Sequence, residues 1–222
     1  MRSAFDWCEL GDAAAGLRLL AATGYLWWRR SCAEGRRWAD LFLARCPEPS
    51  LARAGALHAA GALEMFWDPP RSRQLEEEAS ALAEQMGDRA TAAIAMALAA
   101  YSAILDEDAE EAIPVLEQSL ALVEALGDTR GVAWVLIILA GALLTNHERR
   151  EEGRQKIERA LAMAATDGDN GDQAVPSFGH FLLGCIGAGG MYRRELWSTS
   201  VEHSRCYGTC RWCPISLRSC SR

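Results

Sequence analysis

The sequence predicts an all-α protein built as a solenoid of helical hairpins, and three observations support this fold class. Half of the 222 residues are hydrophobic, 24% are charged and 8% are aromatic, a composition typical of a soluble, foldable chain. Alanine and leucine dominate, and stretches that alternate valine or isoleucine with polar residues are scarce, which disfavours β-strands. Gly-Asp pairs that end at Asp88, Asp128 and Asp169 close apolar helical segments, so the repeat is 40 and then 41 residues long.

Each repeat is predicted to contain a first helix rich in small residues and an amphipathic second helix. In the third unit these helices are Ala90–Leu105 and Ala112–Leu126, with the polar turn DEDAEE between them. Apolar residues recur on one face of that second helix, at Ala112, Leu116, Leu120 and Val123. We expect Gly127 to end the helix in a left-handed conformation and Asp128 to cap the next helix.

The other units follow the same plan with local departures. The fourth unit has helices at Gly131–Leu144 and Glu151–Ala165, joined by the turn Thr145–Arg150. The second unit carries Asp68-Pro69-Pro70 in its predicted inter-helix turn, and the fifth begins a first helix at QAVPSFGHFLLG without completing the pair. The chain opens on FDWCELGD, which resembles the end of a second helix. We therefore expect an array over residues 4–184, about four hairpins plus an incomplete fifth, cut from something longer.

Two segments show the internal repetition directly, since EGRRWADLFLA at 34–44 echoes EGRQKIERALA at 152–162. The second helices follow a spacing A-x3-[LI]-x2-[AS], with glycine allowed in the first place, at Ala112, Leu116 and Ser119 and at Gly153, Ile157 and Ala160. This pattern resembles a tetratricopeptide (TPR) array, although the unit is longer than the usual repeat of about 34 residues. The sequence of Ala125–Ala140 is similar to segments of the TPR arrays in LuxR/SARP-like multidomain bacterial transcriptional regulators.

The resemblance implies a noncatalytic scaffold whose concave inner face, lined by the first helices, binds a protein, a peptide or an effector. Its partners would include other modules of the parent regulator. The exposed inner positions that it implies are His58, Met65, Phe66, Tyr101, Trp134 and Thr145. For Met65, Phe66 and Trp134 the alternative is packing between hairpins, and the basic residues with which chaperone-binding TPR modules clamp a carboxylate are not evident.

Charge and motif content disfavour nucleic-acid binding and catalysis. The net charge is −7, and because residues 186–222 hold six arginines against two acidic residues, residues 1–185 carry −11. Such an acidic body does not suit phosphate backbones. The single lysine, in GRQKIE, lies outside any phosphate-binding loop, and no catalytic triad or metalloprotease motif occurs, so we expect no enzyme and no cofactor. Trp27, Trp28 and Trp38 with Tyr25 suggest core packing of the first hairpin, the alternative being stacking on a nucleobase.

The N-terminal residues bear on the localisation of the protein, because they do not form the apolar segment of an export signal. Three acidic residues within MRSAFDWCELGD break any export signal, so we expect a cytoplasmic protein with reduced cysteines. Two uncharged runs, Ala90–Leu105 and Gly131–His147, are too short and too rich in small residues for membrane spans and are predicted to be buried helices.

Residues 185–222 form a predicted irregular tail rich in Cys, Arg and Ser, with CYGTCRWC at 206–213. Its abrupt loss of alanine favours an altered reading frame or a disordered segment. The alternative is a small zinc-binding protein, whose ligands would be His203, Cys206, Cys210, Cys213 and Cys220. The spacing also matches the iron–sulfur loop of radical SAM enzymes, but the barrel that holds such a cofactor has no room after it.

Overall fold

The computed structural model of the protein describes residues 1–104, 109–166 and 174–187. These residues form ten α-helices and one short 3-10 helix at His147–Arg149. The α-helices are α1 (Arg2–Gly11), α2 (Ala13–Arg30), α3 (Cys32–Arg45), α4 (Leu51–Glu64), α5 (Pro69–Gln85), α6 (Arg89–Ile104), α7 (Ala109–Ala125), α8 (Thr129–Leu143), α9 (Arg150–Thr166) and α10 (Ala174–Gly187). No strand occurs within these described ranges, so the predicted all-α fold is confirmed.

The helices stack as hairpins in sequence order. Pairs α2–α3, α4–α5, α6–α7 and α8–α9 each pack together, and each second helix also packs on the first helix of the following hairpin. The first helices α2, α4, α6, α8 and α10 contact one another in turn, whereas α3, α5, α7 and α9 share no comparable contacts among the described residues. The first helices therefore form the inner layer of a helical-repeat solenoid.

Local sequence signals set the helix boundaries as expected. Gly127 adopts φ +69° after α7, and Asp128 accepts a hydrogen bond from the Gly131 amide at 3.0 Å, which confirms both predictions. Pro69 and Pro70 were placed in a turn by the sequence, but they lie in the first turn of α5 behind the capping residue Asp68. That position suits proline because its missing N–H has no partner there anyway.

Glycines let neighbouring helices approach closely. A Cβ on Gly24 would lie 2.6 Å from the Cβ of Ala59, so α2 and α4 pack nearly backbone to backbone. The echoed segments place Gly35 and Gly153 in equivalent second helices, α3 and α9. There a Cβ would meet Trp27 at 2.7 Å and Leu144 at 3.0 Å, respectively.

The predicted buried helices are confirmed at both uncharged runs, because α6 and α8 supply much of the hydrophobic core. Trp27 and Trp38 are buried at 1% and 2% exposure, so the predicted core packing is confirmed for these two residues. Trp28 is partly buried, and the side chain of Tyr25 lies outside the described part of the structure. Within the described part of the chain, no helix has both the length and the hydropathy needed to cross a bilayer.

Candidate functional site

The inner face of the second hairpin presents a short row of partly exposed side chains. His58 and Ala62 lie one turn apart on α4, and Phe66 follows in the turn after that helix, so the three share one face. The imidazole of His58 is 29% exposed, and Ala62 and Phe66 pack against the core at their bases. Two of the predicted inner positions, His58 and Phe66, thus lie in this partly exposed row.

Two of the predicted inner positions are not exposed. Met65 is 9% and Tyr101 1% exposed, so their predicted place on an open surface is wrong; both pack in the same core cluster. Phe66 and Trp134 are half-buried against that cluster. Thr145 is exposed and donates a hydrogen bond to the Ala142 carbonyl at 2.7 Å. A binding role for His58, Phe66, Trp134 and Thr145 stays a prediction.

An aromatic contact crosses the inner face, and sequence reasoning did not anticipate it. Trp28 of α2 lies 6.5 Å from Phe66 and 6.5 Å from Phe178 of α10, measured between ring centroids. The rings of Trp28 and Phe178 meet edge to face, a favourable arrangement for aromatic pairs. The first helices of hairpins one and five therefore touch, and the inner face is narrower than an open groove.

His58 is held from inside by a buried carboxylate. Its Nδ1 lies 2.8 Å from Oε2 of Glu76 on α5, and Glu76 is 0% exposed. Among the described residues Glu76 is the hydrogen-bond partner that fixes the ring, which leaves Nε2 free on the opposite edge. No hydroxyl or thiol nucleophile of the described chain bonds to that edge, so the pair does not form a catalytic triad.

The pair shifts the titration of both groups. Burial raises the pKa of Glu76 above its ordinary value, and the nearby His58 offsets that only in part. Burial lowers the pKa of His58, but the charge and hydrogen bond of Glu76 more than compensate, so the pKa of His58 is raised. Together the two side chains retain a proton that the unfolded chain would release at lower pH.

Gly61 makes the space that the carboxylate occupies. A Cβ at Gly61 would lie 2.5 Å from Oε1 of Glu76 and 2.7 Å from its carboxyl carbon. That same Oε1 is buried and has no hydrogen-bond partner among the described residues. The glycine and the carboxylate therefore fit each other sterically, although half of the carboxylate is unsatisfied.

We expect Gly61→Ala to lower the free energy of unfolding by about 1–3 kcal/mol, because the added methyl group overpacks the carboxylate. Urea unfolding followed by circular dichroism measures the change. Gly184→Ala is the matched control, since nothing lies within 4 Å of that position on α10 and alanine is the better helix former. Equal stabilities of the two variants would show that the contact at Gly61 is unimportant.

A hydroxyl chain extends the polar contacts to the third hairpin. Ser72 of α5 donates to the Gly61 carbonyl at 2.8 Å and lies 2.9 Å from the hydroxyl of Ser102 on α6. Because the Ser72 proton is already used, Ser102 donates in the second bond. Both serines are buried, so hydrogen bonds join α4, α5 and α6, as the buried Ser119 joins α7 to the Ala93 carbonyl of α6.

A second buried carboxylate lies one helical turn beyond Gly61. Glu64 is 1% exposed and forms ion pairs with Nε of Arg36 at 2.8 Å and Nη1 of Arg71 at 3.4 Å. Arg71 also pairs with Asp40, and Arg36 lies 5.7 Å from the centre of the Trp67 ring. These contacts connect α3, α4 and α5 at the end of the hairpin where α4 stops and α5 begins.

We call this group the polar seam, and it consists of His58, Glu64, Ser72, Glu76 and Ser102. Four of its members are among the five buried polar or charged residues of the described chain; the fifth is Ser119. In the A-x3-[LI]-x2-[AS] spacing, Glu76 occupies the place of Leu116 and Ile157, both 0% exposed. A glutamate at a place that is apolar in the other units is the sequence signal for the seam. Sequence analysis missed it because Glu76 begins the run EEE, which is typical of a solvated face.

The proposed metal ligands lie elsewhere. His203, Cys206, Cys210, Cys213 and Cys220 all fall outside the described residues. Within the described ranges, no three histidine, cysteine or acidic side chains gather as a metal site would require.

Comparison with protein-family models finds no match, and comparison with curated proteins finds none either. The resemblance to a TPR array of a multidomain regulator therefore depends on the residues quoted above.

Proposed function

We propose that this chain is a noncatalytic helical-repeat scaffold that binds a peptide or protein partner on its inner face. It would correspond to the TPR portion of a LuxR/SARP-like transcriptional regulator. The observation that carries the proposal is the continuous inner layer of first helices, with His58, Ala62 and Phe66 accessible on it. Repeat solenoids commonly bind partners on such extended inner surfaces.

Charge is distributed in a way that suits this role. Glu64 is the only acidic residue in α2, α4, α6 and α8, and it is buried in ion pairs. Each of α3, α5, α7 and α9 carries at least two acidic residues. Helices α2, α4, α6 and α8 therefore present no exposed carboxylate, whereas α3, α5, α7 and α9 carry acidic side chains, which basic side chains accompany in α3, α5 and α9.

Selection of a peptide from a phage-displayed library, followed by fluorescence polarisation with the purified protein, tests this function. We expect Ala62→Arg to weaken binding of a selected peptide at least about tenfold, since it places a charge between His58 and Phe66. Gln118→Arg, on the exposed side of α7, is the matched control and should bind normally. Failure to select any peptide, or equal binding by both variants, would contradict an inner-face site.

The alternative is a zinc-binding protein that uses the cysteine cluster at 206–213 with His203 and Cys220. Its support is the number of thiol and imidazole ligands within a short segment. The zinc content of the same purified protein separates the two functions. Stoichiometric zinc that is lost in the Cys206→Ser, Cys213→Ser variant supports the alternative, and metal-free protein contradicts it.

A further inference from the structure

The hydrophobic core of the array is divided. An N-terminal cluster is built from α1 to α4 and includes Phe5, Trp27 and Leu63. A C-terminal cluster is built from Met65 and α6 to α10 and includes Leu116 and Phe178. Helix α5 contributes no buried member to either of these clusters. The polar seam lies between them on α4, α5 and α6, and on the inner face the ring contacts of Trp28 with Phe66 and Phe178 connect them.

A smaller third cluster connects the halves at the other end of α4 and α5. It consists of Ala54, Leu57, Ala79, Leu82, Ala83, Ala92 and Ala95. The first inward positions of α5 are thus Ser72 and Glu76, whereas its later inward positions are apolar. The end with the third cluster is held by apolar burial together with the ion pair of Arg53 and Glu78, whereas the seam end is held by hydrogen bonds and ion pairs of buried groups.

We propose that the polar seam is a pH-dependent hinge. When His58 loses its proton, Glu76 remains as a buried carboxylate without a cationic partner, and the two halves of the array loosen about the third cluster. A buried charge that loses its partner is strongly destabilising, because the low-dielectric interior does not replace the hydration it gave up. The half-exposed imidazole of His58 gives solvent protons access to the pair.

The surrounding charges restrict the titration to this pair. From α5, Glu76 faces His58 directly, and from α6 the seam receives only the uncharged Ser102. The other charges of the seam are the ion pairs of Glu64 with Arg36 and Arg71, and among the described residues no charge besides its own partner alters the pKa of either His58 or Glu76. Arginine does not titrate in the physiological range, so His58 is the group that responds to neutral pH.

The direction of the effect follows from the two pKa values. Both the pKa of His58 and the pKa of Glu76 are raised above their ordinary values of 6.5 and 4.5. Above about pH 4.5 the folded protein therefore binds more protons than the unfolded chain. This difference ends once the pH exceeds the raised pKa values that the two groups have in the folded state. Stability contributed by the pair is greatest below that window and is lost as pH rises through it.

Hydrogen exchange measured by mass spectrometry at about pH 6 and about pH 8.5 tests the hinge. After correction for the intrinsic exchange rate, we expect amides of α4, α5 and the seam end of α6 to lose protection about fivefold at the higher pH. Amides of α8 and α9, inside the C-terminal cluster, should keep theirs. The measurement requires no ligand, so its outcome is independent of the proposed binding role.

Variants make the assignment specific. His58→Leu combined with Glu76→Leu places a leucine where Leu116 stands in the next hairpin and removes both titrating groups, so protection of the seam should no longer depend on pH. Arg73→Gln with Glu77→Gln removes an exposed ion pair of the same helix, 2.9 Å long, and should leave the pH dependence intact. If the double leucine variant does not fold, His58→Gln keeps a hydrogen bond to Glu76 but cannot titrate in this range. Unchanged protection of the wild type, or pH dependence that persists in these His58 variants, would overturn the hinge.

Discussion

Replacing His58 alone with leucine is expected to lower the free energy of unfolding by about 3–5 kcal/mol near neutral pH. The leucine leaves Glu76 buried at 0% exposure, with one oxygen already lacking a partner and the other now losing its own. Because the carboxyl group can respond by taking up a proton, the loss should be smaller at acidic pH. Urea unfolding curves at several pH values measure the effect.

A second substitution should restore the stability that His58→Leu removes. Adding Glu76→Leu to His58→Leu should restore wild-type stability or exceed it, since replacing a buried ion pair by apolar residues is often neutral or stabilising by about 1–4 kcal/mol. His180→Leu, at an exposed position of α10, is the control and should change stability by less than about 0.5 kcal/mol. If His58→Leu is as mild as the control, the ion pair does not contribute to folding.

This buried pair raises the question of why the array retains it. Leu116 and Ile157 show that an apolar side chain serves the same place in other hairpins. A glutamate there interrupts the apolar packing between the two clusters on α5, and it makes this part of their junction sensitive to protons. Stability is given up at one boundary of the solenoid, and in exchange the two halves can move relative to each other.

Sequence analysis located the helices of the third and fourth units because the signals for them are local. The sequence predicted helices at Ala90–Leu105 and Gly131–Leu144, and the structure has them at Arg89–Ile104 and Thr129–Leu143. Helical periodicity and capping by Asp128 depend on residues within a few positions of each other. A repeated unit then predicts stacking, because one hairpin cannot bury both of its faces.

The polar seam and the aromatic contact of Trp28 were not predicted, because both join residues that are far apart in the sequence. Which of these residues meet depends on how the hairpins pack and how the array curves. Glu76 stands in a run of three glutamates that suggests a solvated face, and only the packing of α4 on α5 brings it to His58. The contact of Trp28 with Phe178 depends on how tightly the helices wind, which small rotations between hairpins determine. Tyr101 was predicted to be exposed, but its side chain is buried against Gly141. The glycine makes room for the ring, since a Cβ at that position would lie 2.9 Å from Cε2 of Tyr101.

The N-terminal helix provides the other large expected effect. Phe5 and Cys8 are the buried residues of α1, and Phe5 is 0% exposed. Its ring centroid lies 5.3 Å from that of Trp27, 5.4 Å from Trp38 and 6.0 Å from Phe42. We expect Phe5→Ala to cost about 3 kcal/mol, because it removes a large side chain from the middle of this aromatic cluster.

The same substitution should also release α1 locally, since few other buried groups hold that helix to α2. Hydrogen exchange should show amides of α1 losing protection while those of α8 keep theirs. Trp7→Ala is the matched control in the same helix, because Trp7 is 63% exposed and its removal leaves no cavity. It should cost less than about 0.5 kcal/mol. Equal losses for the two variants would mean that α1 is held by its exposed face, which would contradict the packing of Phe5 among the tryptophans.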